Sequence, residues 1–306
     1  MLVDLVRNSL RRDGGETCRE RRFSVQNTHV TAPTRFVDAQ GIRYAYRRFG
    51  NEAGVPLIFL QHFRGGMDHW DPLLTDGFAQ DRAVILFNNA GVASTSGETP
   101  DTIEAMADHV AIFLKALGLA QVDILGFSIG GMVAQSFALR HPDLARRILL
   151  VGTGPRGVET GGHGGLDPEV ARVVGKPVPV LEDTLFLLFE PSETSQAAGR
   201  AFWERRHQRT VDVDLPSSPQ TLQAQNAAGQ KWFKIGPDRY AELKEIKQPT
   251  LVVNGKHDVM IPTINSYIMS QLIQNAQLII YPDSGHGALF QFPELFLAHS
   301  RLFLDS

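Results

Sequence analysis

Residues 122–131 read Val-Asp-Ile-Leu-Gly-Phe-Ser-Ile-Gly-Gly and join the pattern of a buried strand to that of a helix. The stretch begins with an apolar run, and residues 132–137 continue with the apolar spacing of an amphipathic helix. Ser128 therefore lies at a sharp strand-to-helix turn, with Gly126 and Gly130 two places before and after it. Because the chain approaches itself closely at such a turn, only very small side chains fit at those two positions. The pattern predicts a serine hydroxyl presented as a nucleophile.

Short apolar runs alternate with amphipathic segments on both sides of this turn. Parallel strands joined by crossover helices produce this alternation, so the sequence predicts an α/β fold with a mostly parallel, doubly wound sheet. Residues 34–38 and 42–47 flank a turn and predict an antiparallel hairpin at the start of the sheet. The predicted buried strands are residues 56–62, 83–88, 122–127, 147–152, 250–254 and 276–281.

Two helices are indicated by their apolar spacing. Residues 101–118 place Met106, Val110 and Phe113 on one face, and a final helix begins near Pro293. We expect both helices to pack on the sheet.

The alternation fails between residues 152 and 250, where residues 181–189 and 195–209 look helical. Because the strand pattern resumes afterwards, one domain with an insertion is more economical than two sequential domains. We predict a core of residues 32–154 and 246–306, a helical cap of residues 155–245, and an N-terminal extension of residues 1–31. Arg200, Arg205, Arg206 and Arg209 are interpreted as a solvated face of the cap.

The composition of the chain limits the classes of partner that the sequence predicts. The 306 residues are 43% hydrophobic and 21% charged, with a formal net charge of −3, which predicts a soluble globular chain without a basic field for nucleic acid or membrane. Cys18 is the only cysteine and the ten histidines are scattered, so we expect no internal disulfide, metal or cofactor. No apolar run approaches the length of a membrane span and no signal-peptide pattern is present, so we expect a cytoplasmic protein.

A serine hydroxyl is a weak nucleophile until a neighbouring base takes its proton, so Ser128 requires a histidine and a carboxylate elsewhere. Asp258 follows the predicted strand 250–254, and His286 follows the predicted strand 276–281. Both are expected at the same sheet edge as Ser128, in the chain order nucleophile, acid, base. Asp283 is an alternative acid, and a helix-capping serine is the structural alternative for Ser128.

With these motifs the sequence resembles the α/β-hydrolase superfamily, specifically small cap-bearing bacterial members related to lactonases, esterases and cofactor-free haloperoxidases. The resemblance spans roughly residues 34–304 and includes residues 62–66, where members usually have His-Gly-x-x-Gly. It implies an oxyanion hole whose backbone donors are Ile129 and Arg64. Phe63 stands where glycine is usual, so Phe63 is the alternative second donor.

A second departure from the family lies at residues 88–95, Asn-Asn-Ala-Gly-Val-Ala-Ser-Thr. Members often have Asp-x-Arg-Gly-x-Gly-x-Ser there, so the charged pair that usually anchors this loop is missing. We expect this change to affect the scaffold more than the chemistry.

The predicted activity is hydrolysis of an ester, thioester or lactone of a small, mainly apolar substrate, with an acyl-enzyme and water as the second reactant. The resemblance leaves open C–C bond hydrolysis or perhydrolysis by the same groups, and a receptor that keeps the fold. His62 and His257 are interpreted as structural hydrogen-bonding residues. Candidates to line the substrate pocket are Phe63, Met67, Trp232, Phe233 and Met260. The sequence does not predict an oligomeric state.

Overall fold

The computed structural model describes residues 27–158, 166–176 and 178–306, and an eight-stranded sheet forms its centre. The strands are β1 (Arg35–Ala39), β2 (Ile42–Gly50), β3 (Leu57–Leu60), β4 (Ala83–Phe87), β5 (Val122–Phe127), β6 (Ala145–Val151), β7 (Thr250–Gly255) and β8 (Ala276–Tyr281). They lie side by side in the order β1-β2-β4-β3-β5-β6-β7-β8. The neighbours β5, β6, β7 and β8 therefore bring the residues after their carboxyl ends to one edge.

The strand directions confirm the predicted fold class. β1 pairs with β2, and β2 with β4, in antiparallel fashion, whereas every pairing from β4 to β8 is parallel. The predicted hairpin and the six predicted buried strands are all present, with ends displaced by a few residues.

Ten α-helices are described, and several of them were not predicted. They are α1 (Pro72–Ala79), α2 (Ile103–Ala116), α3 (Ile129–Arg140), α4 (Pro168–Val174), α5 (Leu181–Leu188), α6 (Glu193–Arg206), α7 (Pro219–Phe233), α8 (Ile264–Leu272), α9 (Ala288–Gln291) and α10 (Pro293–Asp305). The predicted helices at 101–118 and from Pro293 correspond to α2 and α10. In the chain, α4 to α7 all lie between β6 and β7, and we call the part from β6 to β7 the inserted segment.

Two apolar clusters cover the two faces of the sheet. Because successive strand residues point to opposite faces, Ile58 of β3 enters the cluster that contains α2 and α3. Its neighbour Phe59 enters the cluster that contains α1 and α10. Helices thus cover both faces, as near-continuous apolar strands require.

The N-terminal extension was predicted to span residues 1–31, of which residues 1–26 lie outside the described part. The next residues pack against α1. His29 has no exposed surface, its backbone N–H donates to Asp76 at 2.6 Å, and its Nδ1 lies 3.0 Å from the Thr75 hydroxyl. The buried core therefore begins before residue 32.

In the part of the chain that the structure describes, no helix combines the length and apolar character needed to cross a bilayer.

His29 predicts an acid-dependent loss of stability. Burial, opposed in part by Asp68, lowers the His29 pKa from 6.5 to about 4. Below pH 6.5 the unfolded chain therefore binds a proton at His29 that the native state does not bind until about pH 4. The free energy of unfolding falls as the pH is lowered through this range. We expect His29 to account for a loss of about 2 kcal/mol in unfolding free energy between pH 7 and pH 5.

Urea unfolding of wild type and His29→Gln at both pH values measures this contribution. The variant should lose less free energy than wild type on acidification, and His257→Gln controls for loss of an exposed imidazole. Equal losses in wild type and His29→Gln would contradict the prediction.

Candidate active site

Ser128 occupies the turn between β5 and α3 in a backbone conformation that L-residues rarely adopt, with φ 57° and ψ −120°. Its N–H donates to the Val151 carbonyl at 3.0 Å, which ties the turn to β6. A Cβ on Gly126 would lie 2.5 Å from the Gly130 carbonyl oxygen, and one on Gly130 would lie 2.0 Å from that of Leu60. Both contacts are far too short, so the steric argument for the two glycines is confirmed.

His286 and Asp258 form a buried hydrogen-bonded pair at the same sheet edge. His286 Nδ1 lies 2.7 Å from Asp258 Oδ2, and the two side chains are 3% and 0% exposed. The other carboxylate oxygen accepts from the N–H groups of Met260 and Ile261 at 2.8 and 2.9 Å. Because the carboxylate accepts from Nδ1–H, the neutral imidazole has its Nε2 lone pair available as a base.

The His286 ring lies against the turn that holds Ser128. Its centre is 4.9 Å from the ring centre of Phe127, the residue before the serine. Gly152, directly after β6, lies against both rings. A Cβ at this position would lie 3.0 Å from the Phe127 ring and 3.1 Å from His286 Nδ1. The structure thus brings Ser128, His286 and Asp258 to neighbouring loops.

Asp283, the alternative acid, has different partners. Its carboxylate accepts from the Ser192 hydroxyl at 2.8 Å, and its carbonyl accepts from Gln291 at 2.6 Å. It therefore links the loop after β8 to the inserted segment, while Asp258 orients the imidazole.

The loop after β3 holds the two candidates for the second backbone donor. Arg64 has φ 61°, and its N–H donates to the side-chain oxygen of Gln225 in α7 at 2.7 Å. Ile129 is the first residue of α3, where N–H groups have no acceptor within the helix. One predicted donor thus already has an acceptor from the inserted segment, and no local sequence pattern indicates Gln225 as that acceptor.

A cavity of about 30 Å³ adjoins these groups and has Gln61, Ile129, Gly130 and Gln225 among its lining residues. That volume holds about one or two water molecules. It lies beside the first turn of α3, where a small polar group would meet free backbone N–H donors.

The two histidines interpreted as structural differ in their environments. His62 Nδ1 lies 2.8 Å from the Phe63 carbonyl oxygen, and burial lowers the His62 pKa to about 3. His257 is 58% exposed, with Nδ1 3.3 Å from Glu190. His62 is therefore a neutral residue with a local hydrogen bond, as expected of a structural role.

Two of the five candidate pocket residues are buried in the packed core. Met67 and Trp232 are each 1% exposed, and the Trp232 indole N–H donates to the Gly154 carbonyl at 3.2 Å. These two side chains therefore pack in the interior, and their place in a substrate pocket stays a prediction. Phe63, Phe233 and Met260 are partly buried against one apolar cluster.

Asp214 anchors the loop after β4 that lacks the family's charged pair. Its carboxylate accepts from Asn88 Nδ2 at 2.7 Å, from the Met67 N–H at 3.0 Å and from the Ser94 hydroxyl. A Cβ on Gly66 would lie 2.6 Å from Asp214 Oδ2, so glycine there lets the carboxylate enter. The missing charge comes from a position about 120 residues downstream, which no local pattern indicates.

Within the described ranges, no group of three or more His, Cys, Asp or Glu side chains could hold a metal ion.

Comparisons with known proteins agree with the observed fold. Residues 55–293 match the family model described as alpha/beta hydrolase fold. A solved alpha/beta hydrolase fold protein from Chitinophaga pinensis is 41% identical, covers 92% of this chain and all of its own, and superposes with a TM-score of 0.85.

Two further relatives have named activities. A pimeloyl-acyl-carrier-protein methyl ester esterase from Nitrosomonas europaea is 28% identical over 65% of this chain and 75% of its own. The solved structure of Est816, described as an N-acyl homoserine lactone degrading enzyme, is 25% identical, with a TM-score of 0.66 over 88% of this chain and all of its own.

Asp214→Asn tests the anchoring of the loop after β4. The amide nitrogen of asparagine cannot accept the hydrogen bonds now made to one carboxylate oxygen, so polar groups around it lose their partner. We expect the variant to lose about 1–3 kcal/mol in unfolding free energy, measured by urea denaturation. Asp38→Asn, at an exposed strand position, is the matched control, and equal stability of the two variants would contradict the anchoring role.

Proposed function

The chain belongs to the alpha/beta hydrolase family, and from this membership we propose that it cleaves an ester, thioester or lactone with Ser128 as the nucleophile. The observation that supports this most directly is the 2.7 Å hydrogen bond between His286 and Asp258, formed beside the strained turn of Ser128. That arrangement supplies a base whose tautomer is fixed and a hydroxyl held at the end of a buried strand.

In the proposed reaction, His286 Nε2 accepts the Ser128 proton as the serine oxygen attacks the substrate carbonyl. Asp258 holds the imidazole and stabilises the cation that forms. The tetrahedral intermediate then expels the alcohol or thiol, which receives the proton from His286. Water, deprotonated by the same histidine, attacks the acyl-enzyme and releases the acid.

The oxyanion would be stabilised by two backbone N–H groups, each worth about 3–4 kcal/mol in enzymes where a donor was removed. Ile129 supplies one from the first turn of α3. The Arg64 N–H supplies the second once Gln225 gives up the 2.7 Å hydrogen bond, with Phe63 as the alternative donor. Substrate binding would therefore displace a side chain of α7 from the loop after β3.

We assign the inserted segment the role of a helical cap. Its residues contact the loops that hold the proposed catalytic groups: for example, Gln225 bonds Arg64, and the Leu188 carbonyl accepts from Gly287, next to His286, at 2.7 Å. These contacts support a cap in which parts of α5 and α7 cover the groups that would react with substrate.

Ser128→Ala should abolish hydrolysis of 4-nitrophenyl acetate, with kcat/KM falling about ten-thousandfold or more. Labelling by a fluorescent phosphonate should be lost in the same variant. Ser136→Ala, in the helix α3 that follows Ser128, is the matched control. Undiminished turnover by Ser128→Ala refutes the serine mechanism, and a single labelled adduct without turnover in wild type favours a receptor.

The two candidate acids are separated by a pair of matched variants. Asp258→Asn should lower kcat about 10³- to 10⁴-fold because it disturbs the imidazole tautomer, whereas KM should change little. Asp283→Asn should retain most of the activity because its partners are Ser192 and Gln291. The reverse ranking of the two variants in steady-state kinetics would make Asp283 the acid.

A further inference from the structure

Arg206, the last residue of α6, carries a charge that no described carboxylate balances. Its guanidinium carbon lies 4.9 Å from the ring centre of Trp203 and 5.8 Å from that of Phe202. Its Nε is buried without a hydrogen-bond partner among the described residues. Burial lowers the Arg206 pKa to about 10, so the group is still charged at neutral pH but poorly solvated.

The neighbouring arginines have acidic partners that balance their charge. Arg205 donates to the fully buried Asp71 at 2.6 and 2.9 Å. Arg209 is 7% exposed and donates to Asp212 and to backbone carbonyls. The prediction of a solvated basic face is therefore wrong for these two residues, although Arg200 is exposed. Arg206 alone among the three buried or partly buried arginines of this cluster has no acidic partner in the described chain.

The salt bridge of Arg205 with Asp71 brings the end of α6, where Arg206 follows, beside the segment that holds two neutral histidines, His62 and His69. The charge of Arg206 contributes to lowering the pKa of His62 and of His69, after burial, which is the larger cause for both. His69 Nδ1 accepts from the Gly66 N–H at 2.9 Å, so the proton of this neutral ring is on Nε2. Neither Nε2 has a partner among the described residues, so His69 offers a free N–H donor.

Ring contacts connect these groups to the proposed catalytic residues. Phe202, which lies against Arg206, stacks on Phe290 with ring centres 4.1 Å apart, and the Phe290 ring centre lies 5.3 Å from that of Phe127. His62, His69 and Arg206 each keep some exposed surface although protein surrounds them closely enough to desolvate them. The His62 ring centre is 5.5 Å from that of His69 and 5.7 Å from that of Phe127. Phe127 in turn lies 4.9 Å from His286, so the cluster is one aromatic ring away from the proposed base.

We propose that Arg206 and the Nε2–H of His69 bind a carboxylate of the substrate. The substrate would then be an ester or lactone whose acyl part ends in a carboxylate, and this refines the mainly apolar substrate expected from sequence. The inference rests on the proposed function, because it assigns a second contact to the molecule that Ser128 attacks.

A carboxylate fits this cluster better than a phosphate. One unbalanced guanidinium matches a single negative charge, and its planar N–H groups suit two carboxylate oxygens. A doubly charged phosphate would need a second free cation, but Arg205 and Arg209 are already engaged by Asp71 and Asp212. Binding an anion would also relieve the cost of a desolvated charge.

The test compares two esters that differ only in charge, mono(4-nitrophenyl) glutarate and its methyl ester. Wild type should prefer the charged ester in kcat/KM, and Arg206→Met should lower the charged-to-neutral ratio about ten- to hundredfold. Arg206→Lys should keep part of the preference, and Arg200→Met should keep the wild-type ratio. Calorimetric binding of glutarate provides a readout without turnover, and Arg206→Met should weaken it by a similar factor.

The outcomes separate the two proposals. Hydrolysis of both esters with a ratio that Arg206→Met leaves unchanged overturns the carboxylate site but keeps the serine mechanism. Arg206-dependent glutarate binding without hydrolysis of either ester keeps the site and overturns the proposed function. Equal losses on both esters, with a lowered thermal midpoint for Arg206→Met, assign Arg206 a structural role and overturn the site.

Discussion

The close approach of backbone to backbone around Ser128 is the constraint on which the rest of the structure depends. Gly126 meets the first turn of α3, and Gly130 lies against the Leu60 carbonyl at the end of β3. These contacts fix α3 directly behind the sheet and hold the serine in a conformation that costs of order 1–3 kcal/mol. Hydrogen bonds to β6 and burial of the apolar residues of α3 on the sheet maintain it.

Sequence reasoning succeeded where the responsible interactions are local or repeat along the chain. The strands were found because each is a short apolar run between turn residues, and the turn at Ser128 because its steric limits concern residues two places away. Asp258 and His286 were predicted to lie together because parallel strands place the residues after their ends at one edge, and the structure shows the two hydrogen-bonded there. The residues of the family motifs are therefore also the residues that a short stretch of sequence can predict.

The groups that were missed have partners far away in the chain. Asp214 supplies a carboxylate to the loop after β4, Gln225 accepts from the Arg64 N–H about 160 residues before it, and Arg209 holds the segment around His29. A lone polar residue in a loop or on a helix has no periodic signal that names such a partner. The arginine cluster was misinterpreted for the same reason. Charged residues on a helix predict a solvated face, and no local pattern indicates that Asp71 packs beneath Arg205.

The residues proposed to react with the substrate and those proposed to recognise it come from different parts of the chain. The proposed nucleophile, base and acid all follow strands of the sheet, where the backbone is fixed on both sides and small displacements are resisted. Gln225 and Arg206 instead come from helices of the inserted segment, where Gln225 bonds the loop after β3 and Arg206 is the proposed partner of the substrate carboxylate. In the proposed function, changes in the inserted segment would alter which acyl group is accepted while the sheet keeps the reacting atoms in place. Asp214, the carboxylate that anchors the loops after β3 and β4, also comes from the inserted segment. The order of these two loops therefore depends on the position of the inserted segment.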